Sequence, residues 1–499
     1  MNKVLKGLVA VVSTAAMAIA GFAGAASATA ADTYDITVPQ TDTHTYSVYQ
    51  VFTGDLSNGT LSNIQPGRNF NTNNADGKSA AAAAAEIAQV SASSDNTAKL
   101  AAITPYVDLT GSAFGEVSAA NKLSAHAGYY LLKDKAAVTG DDAATLFIVQ
   151  VNGPVTVNRK ADKPTFEKKV KDVNDSTGDK SVWQDSADYD VNDEVPFQLT
   201  ATLPTNGADF AAYKTYKLVF HDQQSAGLTF KPETVAVKYE GTTLNPESYA
   251  LGQNPTDGHT FDITITNAKA VKDANGSAIT VAAGGKFTVE YKSELNENAV
   301  IGAAGNPNEA YLEFSNNPNV GGEGNTGETP TDKVIVFTYQ LDINKTFNGG
   351  TPDNDLPKFK LYKLDKDTNA TITDLGEVNI TKTADGEYTA SFKRVDDGKY
   401  KLVETHTPAG FNTAADTIFE ITAGHDVLSD NPTLTSLKIN QTDGNKTNGT
   451  VQADVVNVKG SNLPSTGGMG TTVLYAAGAA IVLVAAFGIA FAVRRRNAR

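Results

Sequence analysis

The chain ends in an apolar run, Val473 to Val493, closed by Arg494-Arg495-Arg496. Inside a bilayer the backbone has no water to bond, so a lone spanning segment must be a helix. This run has about the length required, on the order of 20 residues. The arginines would stay on the cytoplasmic side, leaving Leu463-Pro464-Ser465-Thr466-Gly467 outside. At the other end, Lys3 and Lys6 precede an apolar stretch from Leu8 to Ala20, and small residues follow through Ala26-Ser27-Ala28 and Ala28-Thr29-Ala30. That is the pattern of a secretory signal peptide with two cleavage choices. Residues 1–30 and 461–499 are therefore expected to lie outside the folded body, which must fold after export.

The remainder has room for about three domains of ordinary size. A formal net charge of −15 argues against nucleic acid as a partner and for a soluble surface protein. There is no cysteine, so disulfides, the usual staple of exported proteins, are excluded. Thr, Asn, Asp and Gly are abundant, which suits short strands joined by frequent turns. The expected fold is mainly all-β, a row of immunoglobulin-like sandwiches.

Three segments are expected. In 31–160, Tyr46, Val48 and Phe52 are read as sharing one strand face, with a turn at Asn58-Gly59. The alanine run Ala80 to Ala85, continued by Glu86-Ile87-Ala88, predicts a helix, because alanine is the best helix former. Tyr129–Leu132 and Leu146–Val149 read as strands. Segment 161–332 alternates strongly, with Phe197, Leu199 and Ala201 on one face and Phe287, Val289 and Tyr291 on another, and ends in the Gly-rich stretch Gly321–Gly327. Segment 333–460 shows short strands with turns at Asp385-Gly386 and Asp397-Gly398.

Charged residues standing in phase with apolar ones carry the chemistry. Leu341, Ile343 and Lys345 alternate, so Lys345 points into the core. Tyr400, Leu402 and Glu404 place a carboxyl inward, and Ala453, Val455 and Asn457 place an amide inward. In segment 161–332 the same phase holds for Phe166, Lys168 and Val170, for Leu218, Phe220 and Asp222, and for Ala310, Leu312, Phe314 and Asn316. Burial disfavours the charged forms of amine and acid alike, so a buried lysine held against an amide can act as a nucleophile.

These motifs resemble Gram-positive pilins. Leu463–Gly467, followed by the apolar run and arginines, has the layout of an LPxTG sortase cell-wall sorting signal. Tyr400–Phe411 matches the "Y-x-L-x-E-x-x-x-P-x-G-[YF]" motif of Cna-B-like domains throughout. The "KKV" at Lys168-Lys169-Val170 and Phe314-Ser315-Asn316-Asn317-Pro318-Asn319 resemble the second domain of major fimbrial subunits, with Phe314 replacing a tyrosine.

The resemblance implies internal isopeptide bonds, Lys345–Asn457 assisted by Glu404 and Lys168–Asn316 assisted by Asp222. Lys169 and Asn317 are the out-of-phase alternatives. No lysine stands between Lys6 and Lys78, so the first segment is expected to lack such a bond. Related shaft pilins offer sortase a lysine in a "V-Y-P-K-N" motif. Val157-Asn158-Arg159-Lys160-Ala161 keeps only the valine and the lysine, which makes Lys160 the expected polymerisation lysine, with Lys163 as runner-up.

The implied protein is a major subunit of a sortase-polymerised pilus, displayed on the cell surface, anchored to peptidoglycan and supporting attachment. It would not be an enzyme. Its partners would be pilus-specific and housekeeping sortases, identical subunits, and minor or tip pilins. The alternative is a monomeric wall-anchored adhesin or minor pilin binding a host ligand. No cofactor or metal is expected: Asp365-x-Asp367-x-Asn369 lacks the glycine and terminal glutamate of a calcium loop, and the six histidines show no ligand spacing.

Overall fold

The computed structural model describes residues 33–57, 60–74, 76–88, 102–135, 145–157, 162–318, 326–352 and 354–460. Residues 1–30, the Asn58-Gly59 turn, Lys160, Gly321–Asn325 and 461–499 lie outside the described residues. Among the described residues, no helix is long and apolar enough to cross a membrane.

The chain is mostly strand. In the first segment, Thr45–Ser57 lies between Thr60–Pro66 and Gly128–Asp134, and Leu146–Val151 extends the sheet. A smaller sheet places Thr33–Thr37 between Leu123–His126 and Val155–Thr156. The helix Ala80–Ala88 packs Ala80, Ala83, Ala84 and Ile87 into the core. One sequence expectation fails here. Tyr46 and Val48 pack in one cluster, whereas Phe52 joins Tyr49 and Val51 in another. The register against Gly128–Asp134 shifts between Gln50 and Phe52. A bulge of this kind inserts one residue and reverses the face that follows.

The second segment is a sandwich. One sheet runs Ser186–Asp188, Asp332–Phe337, Asn306–Ser315, Leu218–Gln224, Phe261–Ile265 and Ala250–Gln253. The other runs Thr242–Thr243, Leu228–Tyr239, Lys286–Leu295, Glu194–Thr202 and Thr165–Val170. Alternation explains the core between them: Phe197, Leu199 and Ala201 pair across the register with Tyr291, Val289 and Phe287, and all but Tyr291 are fully buried.

The third segment pairs a small sheet with a larger one. The small sheet is Thr381–Lys382, Tyr388–Val395, Tyr339–Asn348 and Thr450–Val458; the larger is built around Lys358–Leu364 and Gly398–His406. Its opening strand lies beside its last in parallel register. The strand Asp332–Phe337 belongs by pairing to the second segment's sheet, while its Ile335 and Phe337 pack into the third segment's core. The two segments therefore share it.

Candidate functional site

In the third segment the parallel register sets Lys345 opposite Val455 and Phe347 opposite Asn457. Side chains alternate along each strand, so the lysine and the amide look into the same core two positions apart. Lys345 is 1% exposed and Asn457 is fully buried. Glu404 reaches them from the facing sheet. Asn457 Nδ2 donates to Glu404 Oε2 at 3.0 Å and to the Asn412 carbonyl at 2.6 Å. The Ala414 amide donates to the same Glu404 oxygen at 2.5 Å. Glu404 Oε1 and Asn457 Oδ1 are buried without a hydrogen-bond partner.

Lys345 Nζ donates to the Thr346 carbonyl at 2.8 Å and lies 4.1 Å from the Phe347 ring centroid. Burial lowers its pKa to about 8, against the opposing pull of Glu404. At pH 7 that leaves roughly a tenth of the amine neutral, against about 3 in 10,000 for an ordinary lysine. The arrangement points an amine and a carboxamide into one core two positions apart, with an acid on the amide nitrogen.

The second segment repeats the chemistry with other partners. Lys168 is fully buried; its Nζ donates to Asp222 Oδ2 at 2.5 Å and to the Tyr291 hydroxyl at 2.9 Å. Tyr291 donates to Asp222 at 2.6 Å. Burial pulls the Lys168 pKa down, and Asp222 opposes it. Lys169 turns outward to Glu167 and Asp185, which favours Lys168 over its neighbour.

The expected amide partner does not hold. Asp222 stands opposite Ala310, Phe220 opposite Leu312 and Leu218 opposite Phe314. Asn316 is thus six positions beyond the level of Asp222, about 20 Å at the rise of a strand and out of reach of Lys168. Asn317 is farther still.

The amide at the lysine is that of Asn308, two positions to the other side and fully buried. Its Nδ2 donates to the Tyr291 hydroxyl at 2.9 Å, and its Oδ1 has no hydrogen-bond partner. Tyr291 therefore joins lysine, acid and amide in one network. Its ring is fixed by stacking on Phe197, with centroids 5.3 Å apart. Asn316 is buried with both amide atoms lacking partners.

A third buried lysine obeys the same phase rule. Phe359, Leu361 and Lys363 alternate on Lys358–Leu364, and all three are buried. Lys363 Nζ contacts Asp190 Oδ2 at 2.7 Å, Asp175 Oδ2 at 3.4 Å and Asp396 Oδ1. Burial works against its charge, but Asp396, Asp190 and Asp175 outweigh it and hold the pKa above the ordinary value. Asp175 and Asp190 come from the second segment, so this group ties the two sandwiches together. The Asp396 amide adds a bond to Asp190 Oδ1 at 2.9 Å. Elsewhere, Asp365 caps its own turn by accepting from the amides of Asp367 and Thr368.

Residues 349–433 match the SpaA prealbumin-like fold domain family. The trypsin-resistant surface T6 protein of Streptococcus pyogenes serotype M6 is 26% identical over 405 residues, 68% of this chain and 70% of that protein. Among solved structures, the T6 backbone pilin of that organism, described as having a modular three-domain structure, is 17% identical with a TM-score of 0.48. It is matched over 87% of this chain and 100% of that one. The full-length major pilin SpaD of Corynebacterium diphtheriae is 17% identical with a TM-score of 0.45, matched over 86% and 98%. Both TM-scores fall below 0.5, so the relationship rests on the sequence matches. By those matches the chain is a relative of the trypsin-resistant surface T6 protein and carries a SpaA prealbumin-like fold domain over residues 349–433.

Proposed function

We propose that this chain is the shaft subunit of a sortase-polymerised, wall-anchored pilus, and that it stiffens itself with two internal amide bonds. The observation that carries the reading is the buried Lys345–Glu404–Asn457 group, which spans the first and last strands of one sandwich. The Lys345 amine attacks the Asn457 side-chain carbonyl carbon. Glu404, against the amide nitrogen, takes up the amine proton and returns a proton to the departing nitrogen. Ammonia leaves, and the Cγ–Nζ bond replaces the Cγ–Nδ2 bond. In the second sandwich Lys168, Asp222 and Asn308 play the same parts, with Tyr291 positioning the acid.

Export by the signal peptide and retention by the C-terminal apolar helix would present Leu463–Gly467 to a pilus sortase. Cleavage between Thr466 and Gly467 and attack by Lys160 of the next subunit would join subunits head to tail. Contacts of that heterologous kind give open filaments. A housekeeping sortase would pass the finished polymer to peptidoglycan. The test is a blot of cell-wall extracts. The native chain should give a ladder of covalent multimers, and Lys160→Ala should give wall-bound monomer alone. An undiminished ladder in that variant would exclude Lys160 and move the test to Lys163→Ala. No ladder from the native chain would exclude the shaft role.

A further inference from the structure

The sheet that carries Asp222 on its inner face carries a different cluster on its outer face. His221 precedes Asp222 and so points the opposite way. In register it lies opposite Asp262 on one side and Tyr311 on the other, and its ring stacks on Tyr311 with centroids 4.7 Å apart. The turn before Phe261–Ile265 brings Asp257 and His259 over the same spot, bending at Gly258, whose φ is +95°. One side-chain nitrogen or oxygen from each of His221, Asp257, His259 and Asp262 lies within 4.8 Å of all the others.

Part of the cluster is already hydrogen-bonded and part is not. His221 Nδ1 is 2.7 Å from Asp262 Oδ1. His259 Nδ1 is 3.0 Å from Asp257 Oδ1 and 3.6 Å from Asp262 Oδ1. His259 Nδ1 is nevertheless buried and makes no hydrogen bond. The other nitrogen of His221 faces Glu313 Oε2 at 3.3 Å. A carboxylate behind a histidine in this way orients the ring and raises the basicity of the opposite nitrogen for a metal. Tetrahedral bonds of about 2.0–2.2 Å place ligand atoms roughly 3.3–3.6 Å apart, so only small shifts separate the four atoms from a coordination shell.

We propose that His221, Asp257, His259 and Asp262 bind a first-row divalent transition metal ion of the zinc type. Two imidazoles with two carboxylates suit zinc and its neighbours, whereas calcium and magnesium favour oxygen ligands throughout. The site joins a surface turn to two central strands, so an ion there would pin that turn to the sheet. It is independent of the cross-linking chemistry on the inner face.

The experiment is calorimetric titration of the chelator-stripped, purified full chain with zinc ion alone, with cobalt(II) as an optical probe. One ion per chain should bind with a dissociation constant of micromolar or tighter. His259→Ala and Asp257→Asn, both in a surface turn, should each weaken binding at least tenfold while the apo melting temperature stays put. Glu313→Gln, behind His221, should weaken it less but measurably. Cobalt should give the visible bands of four-coordinate geometry, and these should vanish in His259→Ala. No saturable binding, equal binding by native chain and His259→Ala, or displacement of zinc by equimolar calcium would each overturn the assignment.

Discussion

Substituting Asn308 separates the two candidate partners of Lys168. A Lys168–Asn308 bond closes a loop of 140 positions (308 − 168). If the chain-entropy treatment of disulfides carries over to an amide link, a loop of that length contributes about 5 kcal/mol. For a sandwich of this size, 1 kcal/mol moves the melting temperature by about 2–4 °C, so loss of the bond should lower the second segment's transition by roughly 10–20 °C. Asn308→Ala should also leave the chain heavier by one ammonia than it would be with both bonds formed, allowing for the substitution itself. Asn316→Ala should retain both condensations. Its thermal cost should be only that of a buried side-chain deletion, because Asn316 sits about 20 Å along the sheet. Intact mass and differential scanning calorimetry on native, Asn308→Ala, Asn316→Ala and Asp222→Ala chains make the comparison. A full ammonia deficit in Asn308→Ala, or one ammonia regained in Asn316→Ala, would refute the register argument.

Glu404→Ala should retain exactly one ammonia and leave the second-segment bond intact, as peptide mapping would show. In an Asn457→Ala chain, which cannot close its third-segment bond, Lys345 keeps a folded pKa of about 8, below its ordinary value of 10.5. The unfolded chain then binds more protons between those values, so stability in denaturant should rise with pH across that window and level off above it. For the same reason, bond formation in freshly folded native chain, followed by mass, should quicken about tenfold per pH unit below 8 and flatten above it. Lys363→Ala leaves Asp190 and Asp396 buried without their cation and should destabilise the chain by about 3–5 kcal/mol in denaturant titration. Trypsin should remove the first segment and leave a resistant fragment of the other two; equal sensitivity of all three would count against the cross-links.

The third-segment group was legible because each of its three residues has a local signature. Strand phase gave the inward faces of Lys345, Glu404 and Asn457, and the parallel pairing of first and last strands then set lysine and amide two positions apart. Phase alone does not give height along a sheet. Asn316 is inward-facing and buried as its phase implies, but so is Asn308, and only the register of Leu218–Gln224 against Asn306–Ser315 decides which amide stands level with Lys168. The same limit hid the bulge after Gln50 and the meeting of His221 with His259, since neither has a periodic signature. Lys363 obeyed the phase rule as well as Lys345 did. Its acids come from both segments, so no motif within one segment pointed to it.

The position of Asn308 changes where a stretched subunit would carry its load. Tension entering at Thr165–Val170 would cross to Asn308 through Lys168, shielding the 139 residues between them, 169–307, in effect the interior of the sandwich. It would then run along the chain from Asn308 to Lys345 before the second bond takes it to Asn457. A bond to Asn316 would have shielded Ala310–Ser315 as well. The exposed stretch includes Asp332–Phe337, the strand the two sandwiches share, which pairs with Ser186–Asp188 and with Asn306–Ala310 and has no covalent tie to either beyond the chain itself. Covalent protection would thus stop on either side of the seam. Among the contacts that brace the seam between them is Lys363, gripping Asp190 from one sandwich and Asp396 from the other. On this reading the joint, held by this ion pair and by hydrogen bonds such as Asn174 Nδ2 to Asp397 Oδ1 and Ser186 Oγ with His425 Nδ1, lies between two covalently tied sandwiches and should yield before either sandwich opens. Single-molecule stretching would register that as a small first extension, lowered in force by Lys363→Ala and untouched by Asn308→Ala.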